Sequence, residues 1–444
     1  MMWWREYPPF MFFRQNRVGE RTIRRYLKEI FCDKNQKTGI YVHIPFCSSR
    51  CLFCKYYLKT PESKEKIDCY LTDLEKELKI YGVNFKNIEL SSLYIGGGTP
   101  TILSINQLER LFQIIRRFFK FKETAQILIE GTPETMMDYE KLCLLKKSGV
   151  TRLTIGAQSF DDKVLRMSGR RHSAKDIYYA TKKARKAGIK YINFDIILGL
   201  PGEDSYADKK LIKAIRELKP DCVSISPFNL GEGMIFFGRK EINSGKIEFA
   251  KRFNALLKIL KKKDYRSVAG HPRSYLSLGG KKEALNLNSV GRWSEFDTVF
   301  GAGCGAASFL YFKKNNRPYL LEYVLNSDVE SYSRLIKKGK TPVDYGLEFS
   351  GDELIRRYLI GQLAYWGEIR KNQFIRKIGQ NPSEMIKHKF SRLKQEGLVI
   401  EKEETIGIKG IKLSMRREDF SLFCLKYLYS PKVVDFCGKY VSRR

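Results

Sequence analysis

The sequence predicts an α/β protein built on a partial, open (β/α)6 barrel of the TIM type, followed by a C-terminal helical domain of the winged-helix type. Short β-rich runs alternate with helical stretches between residues 39 and 230. These runs are almost continuously apolar, as expected for parallel strands that helices cover on both faces. Six strand–helix units are too few to close an eight-stranded barrel, so we expect an open one.

Six runs in this part of the chain are predicted as strands, and the segments from Glu62 to Tyr81 and from Asn106 to Lys120 are among the helices between them. In chain order, the strand sequences are GIYVHIPF, LSSLYIGGG, AQILIEG, RLTIGAQ, YINFDIILGL and CVSISPF. Parallel strands joined by right-handed crossovers all end at one edge of the sheet. We therefore expect the functional residues at that edge, as in other α/β barrels.

Composition and pattern divide the chain into four regions. Residues 1–38 form a basic, aromatic N-terminal extension, and residues 39–230 form the barrel. Residues 231–345 are irregular, with Gly-rich and lysine-rich pieces, and we expect them to help bind the substrate. Residues 346–444 read as helices followed by a small β-wing. Domains of this kind can bind nucleic acid, but in enzymes they more often cover a substrate cleft, and we expect a cover here.

The chain is strongly basic, because 82 Lys and Arg residues against 49 Asp and Glu residues give a net charge of +33. Such a field attracts anions, including nucleic acid, anionic lipid and substrates with several carboxylates. Solvated surface lysines are the alternative explanation. The basic residues are spread along the chain without a nucleic-acid-binding motif, so we expect no specific nucleic-acid partner.

The sequence contains neither an apolar stretch of about 18 residues nor a signal-peptide pattern, so we expect a cytoplasmic protein. The first residues, MMWWREYPPFMFFRQNR, are aromatic and basic. They are suited to peripheral contact with an anionic membrane, although such an extension more often packs against its own barrel.

Three cysteines in one short loop, Cys47, Cys51 and Cys54, have the spacing Cys-x3-Cys-x2-Cys. Thiolates are the usual ligands of iron–sulfur clusters, and a [4Fe–4S] cluster normally takes four of them. Three thiolates leave one iron open to a small molecule. A zinc site is the alternative, but zinc needs a fourth ligand, and Tyr56 and Tyr57 are poor candidates.

The strand LSSLYIGGG ends in Gly96, Gly97 and Gly98, which Thr99 and Pro100 follow. Glycines let the backbone approach a ligand closely, and their exposed peptide groups can hold an amino-acid moiety. Alone, the run would be a tight turn. Because it follows the cysteine loop at the next strand, we expect it to bind a ligand.

Glu130, Gln158 and Asp195 lie at or near the ends of the following strands. A carboxylate in an apolar strand is costly unless it has a partner, so these residues predict a shared polar ligand. Salt bridges to nearby lysines are the alternative. Arg170, in SGRRHS, is a candidate cation for a ligand carboxylate, because its planar guanidinium binds two oxygens at once.

Together these blocks resemble the oxygen-independent coproporphyrinogen III oxidase family of radical S-adenosylmethionine (SAM) proteins. The resemblance is carried by HIPFC, GGGTPT, RLTIGAQSF and DIILGLPG, and it continues weakly into the C-terminal helices. It implies a partial barrel, a [4Fe–4S] cluster and SAM. We also expect a low-potential electron donor such as a flavodoxin or ferredoxin.

The resemblance also implies roles for individual residues, although no catalytic residue is assigned beyond the cluster and SAM. Cys47, Cys51 and Cys54 would bind the cluster. The segment FGAGCGAAS, with Gly301 and Ala302, resembles a part of the family near a second SAM, so we expect one or two SAM molecules. The residues implied to contact SAM beside the cluster are Tyr41, Gly97, Gly98, Thr99, Glu130, Gln158, Arg170 and Asp195.

The implied activity is that of a radical SAM oxidoreductase. The cluster would cleave SAM reductively to a 5′-deoxyadenosyl radical, which would act on a tetrapyrrole in oxygen-independent haem synthesis. The chain departs from the oxidases at two points. Tyr56 stands where they have a further cysteine, and the sequence IEGTP around Glu130 also differs.

These departures leave two alternatives open. The first is a radical methyltransferase that uses two SAM molecules on haem or a quinone. The second is a haem chaperone that keeps the cluster and binds haem through an axial ligand. The available axial ligands are the four histidines, His43, His172, His271 and His388, or a cysteine, and of these we rank His172 first.

Overall fold

The computed structural model describes residues 7–8, 10–30, 36–54, 56, 58–82, 85, 88–228, 246–269, 274–411 and 417–441. Its main feature is one twelve-stranded sheet flanked by helices, with a separate three-stranded sheet near the C-terminus. Two helices precede the large sheet, α1 (Phe10–Arg14) and α2 (Glu20–Ile30). The fold is therefore mixed α/β, as predicted.

The first six strands lie side by side in chain order and are all parallel. They are β1 (Thr38–Ile44), β2 (Glu89–Gly97), β3 (Lys120–Gly131), β4 (Arg152–Gln158), β5 (Tyr191–Leu198) and β6 (Cys222–Pro227). The helices between them are α3 (Lys64–Gly82), α4 (Ile105–Phe118), α5 (Tyr139–Lys147), α6 (Asp162–Met167), α7 (Ala174–Lys186) and α8 (Ser205–Leu218). All six predicted strands are present, and they end at one edge.

Polar caps determine where several of these helices begin. Ser104 starts α4 in a capping box, in which its hydroxyl accepts from the amide of Gln107 and the Gln107 side chain accepts from the amide of Ser104. Asp161, Ser173 and Asp204 accept hydrogen bonds from the first amides of α6, α7 and α8. Such caps satisfy amides that have no partner within the helix.

Six further strands extend the large sheet on both sides. They are β7 (Tyr265–Ala269), β8 (Ser274–Leu278), β9 (Thr298–Ala302), β10 (Ala307–Lys314), β11 (Arg317–Leu325) and β12 (Val343–Phe349), with helices α9 (Lys246–Lys261), α10 (Leu287–Val290) and α11 (Val329–Lys337). β9 is parallel to β1 and leads to antiparallel β10, β11 and β12, whereas β8 and β7 are antiparallel beyond β6.

These added strands occupy much of the region that the sequence analysis describes as irregular. Short antiparallel strands do not need the continuous apolar runs of buried parallel strands, and the hairpin between β10 and β11 passes through the polar run KKNNR. Residues 231–245 of that region lie outside the described part of the chain.

A segment that we call the plug, residues 282–295, covers one face of the sheet near the starts of the parallel strands. We call this the interior face. It contains a 3₁₀ turn, α10 and a π-helical turn. Arg152 Nε donates to the Ala284 carbonyl at 2.8 Å, and Gln126 Nε2 donates to the Leu285 carbonyl at 2.8 Å. Because these buried side chains bond to plug backbone, the plug has a defined position on the sheet.

The C-terminal unit contains the helices and β-hairpin expected from its sequence. Its elements are α12 (Gly351–Trp366), β13 (Glu368–Arg370), α13 (Lys371–Ile378), α14 (Pro382–Lys389), α15 (Ser391–Gln395), β14 (Val399–Glu401), β15 (Thr405–Ile408), α16 (Arg417–Tyr427) and α17 (Pro431–Val441). The short strands form an antiparallel sheet in the order β13-β15-β14.

The contacts of this unit lie near the edge where the parallel strands begin, and the expected cover over a substrate cleft stays a prediction. Lys377 Nζ donates to the Phe296 carbonyl at 3.1 Å, just before β9, and Tyr365 packs in an apolar cluster with Cys222, the first residue of β6. Gln362 bonds to the Ser294 carbonyl of the plug. The apolar face of α12 thus packs on the plug, near the edge where the parallel strands begin.

Two described aromatic residues of the N-terminal extension pack against later parts of the chain. Tyr7 is 1% exposed, and its ring centre lies 5.1 Å from that of Tyr429. Phe13 makes an edge contact with Tyr345 at 5.5 Å between ring centres. Residues 1–6 lie outside the described part of the chain. Among the described helices, none combines the length and apolar composition needed to cross a bilayer.

Glu77, on α3, is fully buried beneath the turn that follows β9. Its Oε2 accepts hydrogen bonds from the Gly303 amide at 2.8 Å and from the Tyr332 hydroxyl at 2.5 Å. Burial raises the pKa of Glu77 from 4.5 to about 7, and the two hydrogen bonds oppose this rise. The raised pKa means that ionising Glu77 costs folding free energy.

We predict that Glu77→Gln removes a pH-dependent loss of stability. The pKa is higher in the folded state, so the contribution of Glu77 is greatest below pH 4.5 and declines as the pH rises to about 7. The full decline is about 3 kcal/mol. Denaturant unfolding between pH 5 and pH 8.5 should therefore show the variant gaining stability relative to the parent as pH rises. Glu109→Gln, at an exposed position on α4, is the control and should show no such trend.

Candidate functional site

The cysteine loop leaves β1 and is attached to neighbouring segments through its backbone. The amide of Cys47 donates to the Lys59 carbonyl at 3.1 Å, and the amide of Leu52 donates to the Ser168 carbonyl at 3.1 Å. Within the loop, the amide of Cys54 donates to the Cys51 carbonyl at 3.1 Å. The three thiols are therefore carried by a loop that is held at its base and at its middle.

The three thiols lie close enough to influence one another electrostatically. Burial raises the pKa of Cys47 to about 11; the Thr99 hydroxyl, 3.3 Å away, lowers it, and the neighbouring Cys54 and Cys51 raise it further. The pKa of Cys54 is also raised, mainly by burial. Thiolates gathered in such a place need positive charge nearby, and a bound metal centre supplies it.

Arg170 connects the cysteine loop to β4. Its Nη1 donates to Cys51 Sγ at 3.1 Å, and its Nη2 donates to the Gly156 carbonyl at 2.7 Å. Its Nε is buried and has no hydrogen-bond partner among the described residues. A buried donor without a partner costs free energy, so Arg170 keeps one donor for a group that binds beside the loop.

The glycine turn after β2 lies directly against the cysteine loop. The amides of Gly98 and Thr99 donate to the carbonyls of Ile44 at 2.8 Å and Phe46 at 2.7 Å. A Cβ on Gly98 would lie 2.4 Å from the Phe46 oxygen and 3.0 Å from Cys47 Sγ. Only glycine therefore fits at this position.

Tyr41 and Glu130 belong to one group of side chains on the interior face. The Tyr41 ring lies 4.9 Å from that of Tyr94, whose hydroxyl donates to the Glu130 carboxylate. Burial raises the pKa of Tyr41 well above its usual value; Glu130 and Tyr56 add to the rise, and Arg292 opposes it. Arg292 comes from the plug, and nothing in its local sequence pointed to this position.

Gln158 and Asp195 stand on the adjacent strands β4 and β5. Gln158 has a φ of +65°, which is unusual for a residue other than glycine. Asp195 accepts a hydrogen bond at 2.9 Å from Asn193 Nδ2, and the Asn193 oxygen accepts one at 2.9 Å from the Ser224 hydroxyl. A strained residue and a row of polar side chains are typical of a ligand site.

Gly301 and Ala302 lie beside the same group. They are on β9, where they pair with Tyr41 and Val42 of β1. A Cβ on Gly301 would lie 2.4 Å from the Ala307 oxygen, so the turn between β9 and β10 is packed against this glycine. The structure thus places the second predicted SAM segment on the strand beside Tyr41, and a second SAM stays a prediction.

His172 does not fit the expected haem ligation. His172 is 3% exposed, its Nε2 faces the Ala157 carbonyl at 3.3 Å, and its Nδ1 lies 3.2 Å from Glu134 Oε2. Burial raises the pKa of Glu134, but the His172 ring and the Arg170 charge outweigh it and lower the pKa to about 2. With both ring nitrogens facing protein atoms, His172 is a poor axial ligand, in contrast to the prediction.

The remaining histidines differ in exposure. His43 Nδ1 lies 2.8 Å from the Tyr41 hydroxyl, and burial lowers the pKa of His43 to about 4. His388, on α14, has a side chain that is 71% exposed. His271 lies outside the described residues.

The donor set fits an iron–sulfur cluster better than a zinc ion. Within the described residues, no group of three or more His, Cys, Asp or Glu side chains converges on a single ion. Tetrahedral zinc holds each sulfur at about 2.3 Å from one metal, whereas each thiolate of a cluster binds a different iron. Three thiols, beside an Arg170 Nε that has no hydrogen-bond partner in the described part of the chain, suit a cluster that takes a further ligand.

Comparison with known proteins agrees with this chemistry. Residues 41–205 match the radical SAM superfamily. The chain is 26% identical over 392 residues to the heme chaperone HemW of Bacillus subtilis, covering 86% of this chain and 98% of that protein. It is 27% identical over 369 residues to the oxygen-independent coproporphyrinogen III oxidase of Escherichia coli, covering 80% and 77%.

The fold also matches a solved structure. Coproporphyrinogen III oxidase (HemN) from Escherichia coli superimposes with a TM-score of 0.76 at 22% sequence identity, over 91% of this chain and 93% of that one. This likeness establishes the fold.

We predict that Gly98→Ala prevents the cysteine loop from holding a cluster. The added methyl group would push on the Phe46 carbonyl and on Cys47, and overpacking of this kind costs about 1–3 kcal/mol. Iron and sulfide analysis after anaerobic reconstitution should show most of the iron lost. Gly19→Ala is the matched control, because a Cβ at Gly19 has no atom within 4 Å. Full iron loading of Gly98→Ala would contradict the prediction.

Proposed function

This chain belongs to the radical SAM superfamily, in the family of coproporphyrinogen III oxidase and heme chaperone HemW homologues, and from that premise we propose that it performs radical SAM chemistry on a tetrapyrrole. Membership of the superfamily implies a [4Fe–4S] cluster and SAM. The observation that carries the proposal is the joining of the three cysteines, the glycine turn and Arg170 in one hydrogen-bonded site.

Cys47, Cys51 and Cys54 would hold the cluster through three irons. When bound, the cluster and SAM supply a 5′-deoxyadenosyl radical, which removes a hydrogen atom from the substrate. Arg170 balances thiolate charge at Cys51 and keeps Nε for a ligand oxygen.

The other predicted SAM residues surround this position on successive strands. Gly97 and Gly98 leave room for the amino-acid part of SAM beside their backbone, because glycine has no side chain. The amides of Gly98 and Thr99 hold this turn to Ile44 and Phe46. Tyr41, Glu130, Gln158 and Asp195 offer hydroxyl, carboxylate and amide groups along the interior face. We propose this set as the SAM site.

A substrate with several carboxylates suits the charge near this face. The Arg292 side chain is 20% exposed, and its Nη2 lies 3.6 Å from Glu322 Oε2. Glu322 also accepts a hydrogen bond at 2.8 Å from Arg357 Nε. Two guanidinium groups share this carboxylate beside Tyr41, which favours an anionic group of the substrate over a neutral one.

We predict that the reconstituted protein converts coproporphyrinogen III under anaerobic, reducing conditions. Mass spectrometry should show a product lighter by two lost carboxyl groups together with 5′-deoxyadenosine, even though the exposed Tyr56 replaces the cysteine of the oxidases. Cys51→Ser should abolish both products, because it removes a cluster ligand.

Other products would change the assignment. S-adenosylhomocysteine with a methylated acceptor, such as haem or a quinone, would indicate radical methyl transfer. Unchanged porphyrinogen beside 5′-deoxyadenosine would retain the radical chemistry and reject this substrate.

A haem-binding role is the second candidate, since a relative matched along 98% of its length is named a heme chaperone. If the chain binds haem through histidine, His388 is the exposed ring among the described residues. We predict saturable one-to-one binding in a haem titration, with the haem absorbance bands shifted by His388→Ala. Absence of saturable binding would reject this role.

A further inference from the structure

The outer helical layer of the barrel carries a basic groove that the proposed radical site does not use. We define the lysine groove by its location between α7 and α8, where it encloses about 470 Å3. Its lining includes four lysines, Lys175, Lys182, Lys210 and Lys213, and one carboxylate, Glu217. Its walls therefore present mainly positive charge.

Two of these lysines are available to a partner. Lys175 and Lys182 are exposed and form no ion pair within the described residues. Lys210 is held by Asp161 at 2.9 Å, whereas Lys213 lies 4.0 Å from Glu217. The groove keeps net positive charge after its internal pairs are counted.

The groove also contains aromatic surface. Tyr179 is 43% exposed, and the Lys175 ammonium lies 5.5 Å from its ring centre. Tyr178 lines the wall and donates a hydrogen bond at 2.7 Å to Glu217. Exposed tyrosine is enriched in surfaces that bind proteins.

The groove is close to the cysteine loop. Lys210 bonds to Asp161 at the start of α6, and the carbonyl of Ser168, just after α6, accepts the amide of Leu52. A six-residue helix is about 9 Å long. Leu52 and Phe53 also pack against an apolar cluster that contains Val164 of α6 and Ala207 of α8. One helix of the groove, α8, thus also belongs to the cluster that supports the loop.

We propose that the lysine groove docks an acidic one-electron carrier protein that reduces the cluster. This inference rests on the proposed function, because reductive cleavage of SAM consumes one electron that must come from outside the protein. One electron leaves the carrier and is taken up at the bound cluster, so the carrier is oxidised by one electron. The lysines steer the acidic partner, and α6 places the docked protein beside the cysteine loop.

The test uses the full chain, a flavodoxin as the acidic probe and two matched triple variants. Lys175→Glu, Lys182→Glu and Lys213→Glu together reverse the charge of the groove. Lys337→Glu, Lys338→Glu and Lys340→Glu make the same charge change at exposed positions around the end of α11. That region adjoins Thr341, which accepts from Tyr81 at the end of α3 farthest from the cysteine loop.

Calorimetry with oxidised flavodoxin should show the dissociation constant rising at least tenfold in the groove variant at low salt. The control variant should change it by less than twofold. The rate of cluster reduction by flavodoxin hydroquinone should fall by a similar factor, while reduction by dithionite, which needs no docking, stays unchanged. The milder pair Lys175→Gln and Lys182→Gln should give an intermediate loss.

Equal losses in both triple variants would overturn the proposal, because net charge alone would then explain binding. Unchanged flavodoxin binding with lost binding of a poly(U) probe would also overturn it and mark the groove as a nucleic-acid surface. If the parent protein fails to cleave SAM even with dithionite, the proposed function fails. The calorimetric comparison still decides the docking surface in that case.

Discussion

The close backbone contact between the cysteine loop and the glycine turn is the constraint on which the site depends. Strands β1 and β2 are adjacent and parallel, so the segments that follow them leave the sheet at the same edge. The amides of Gly98 and Thr99 bond to carbonyls at the end of β1 and the start of the loop. No side chain fits between them at Gly98, and the thiol of Cys47 is placed by this contact.

The electrostatics of the site follow from that placement. Three thiols in a partly buried loop are unfavourable as bare thiolates, since burial and their mutual repulsion raise the pKa of Cys47 and of Cys54. Arg170 compensates by donating to Cys51 while β4 fixes its other end through Gly156. The fold thus holds the three sulfur atoms together, where a positively charged centre would stabilise their thiolate forms. The packed sheet and helices beneath the loop offset the free-energy cost of holding them there.

The protein has two kinds of positive surface, one on the interior face of the sheet and one on the outer helices. Inside, Arg292 reaches the neighbourhood of Tyr41 from the plug and shares Glu322 with Arg357. Outside, the lysine groove lies between α7 and α8, and α8 belongs to the apolar cluster on which the cysteine loop packs. Guanidinium groups in a restricted interior suit a bound carboxylate with fixed geometry, whereas flexible exposed lysines suit a larger acidic partner whose approach they speed. The two proposals therefore assign a binding role to part of the chain's positive charge at each of these two places.

The sequence by itself determined the six parallel strands, the Cys47–Cys54 motif and the glycine turn. Each is encoded by residues that are neighbours in the chain: apolar runs, cysteine spacing and consecutive glycines. Only the tertiary structure decided the six added strands, the plug and the packing of the C-terminal unit on it. These depend on contacts between distant residues, such as Gln126 with Leu285 and Lys377 with Phe296. No local sequence pattern predicts such contacts, because the two residues of each pair are buried and hydrogen-bonded to each other only when the whole chain has folded.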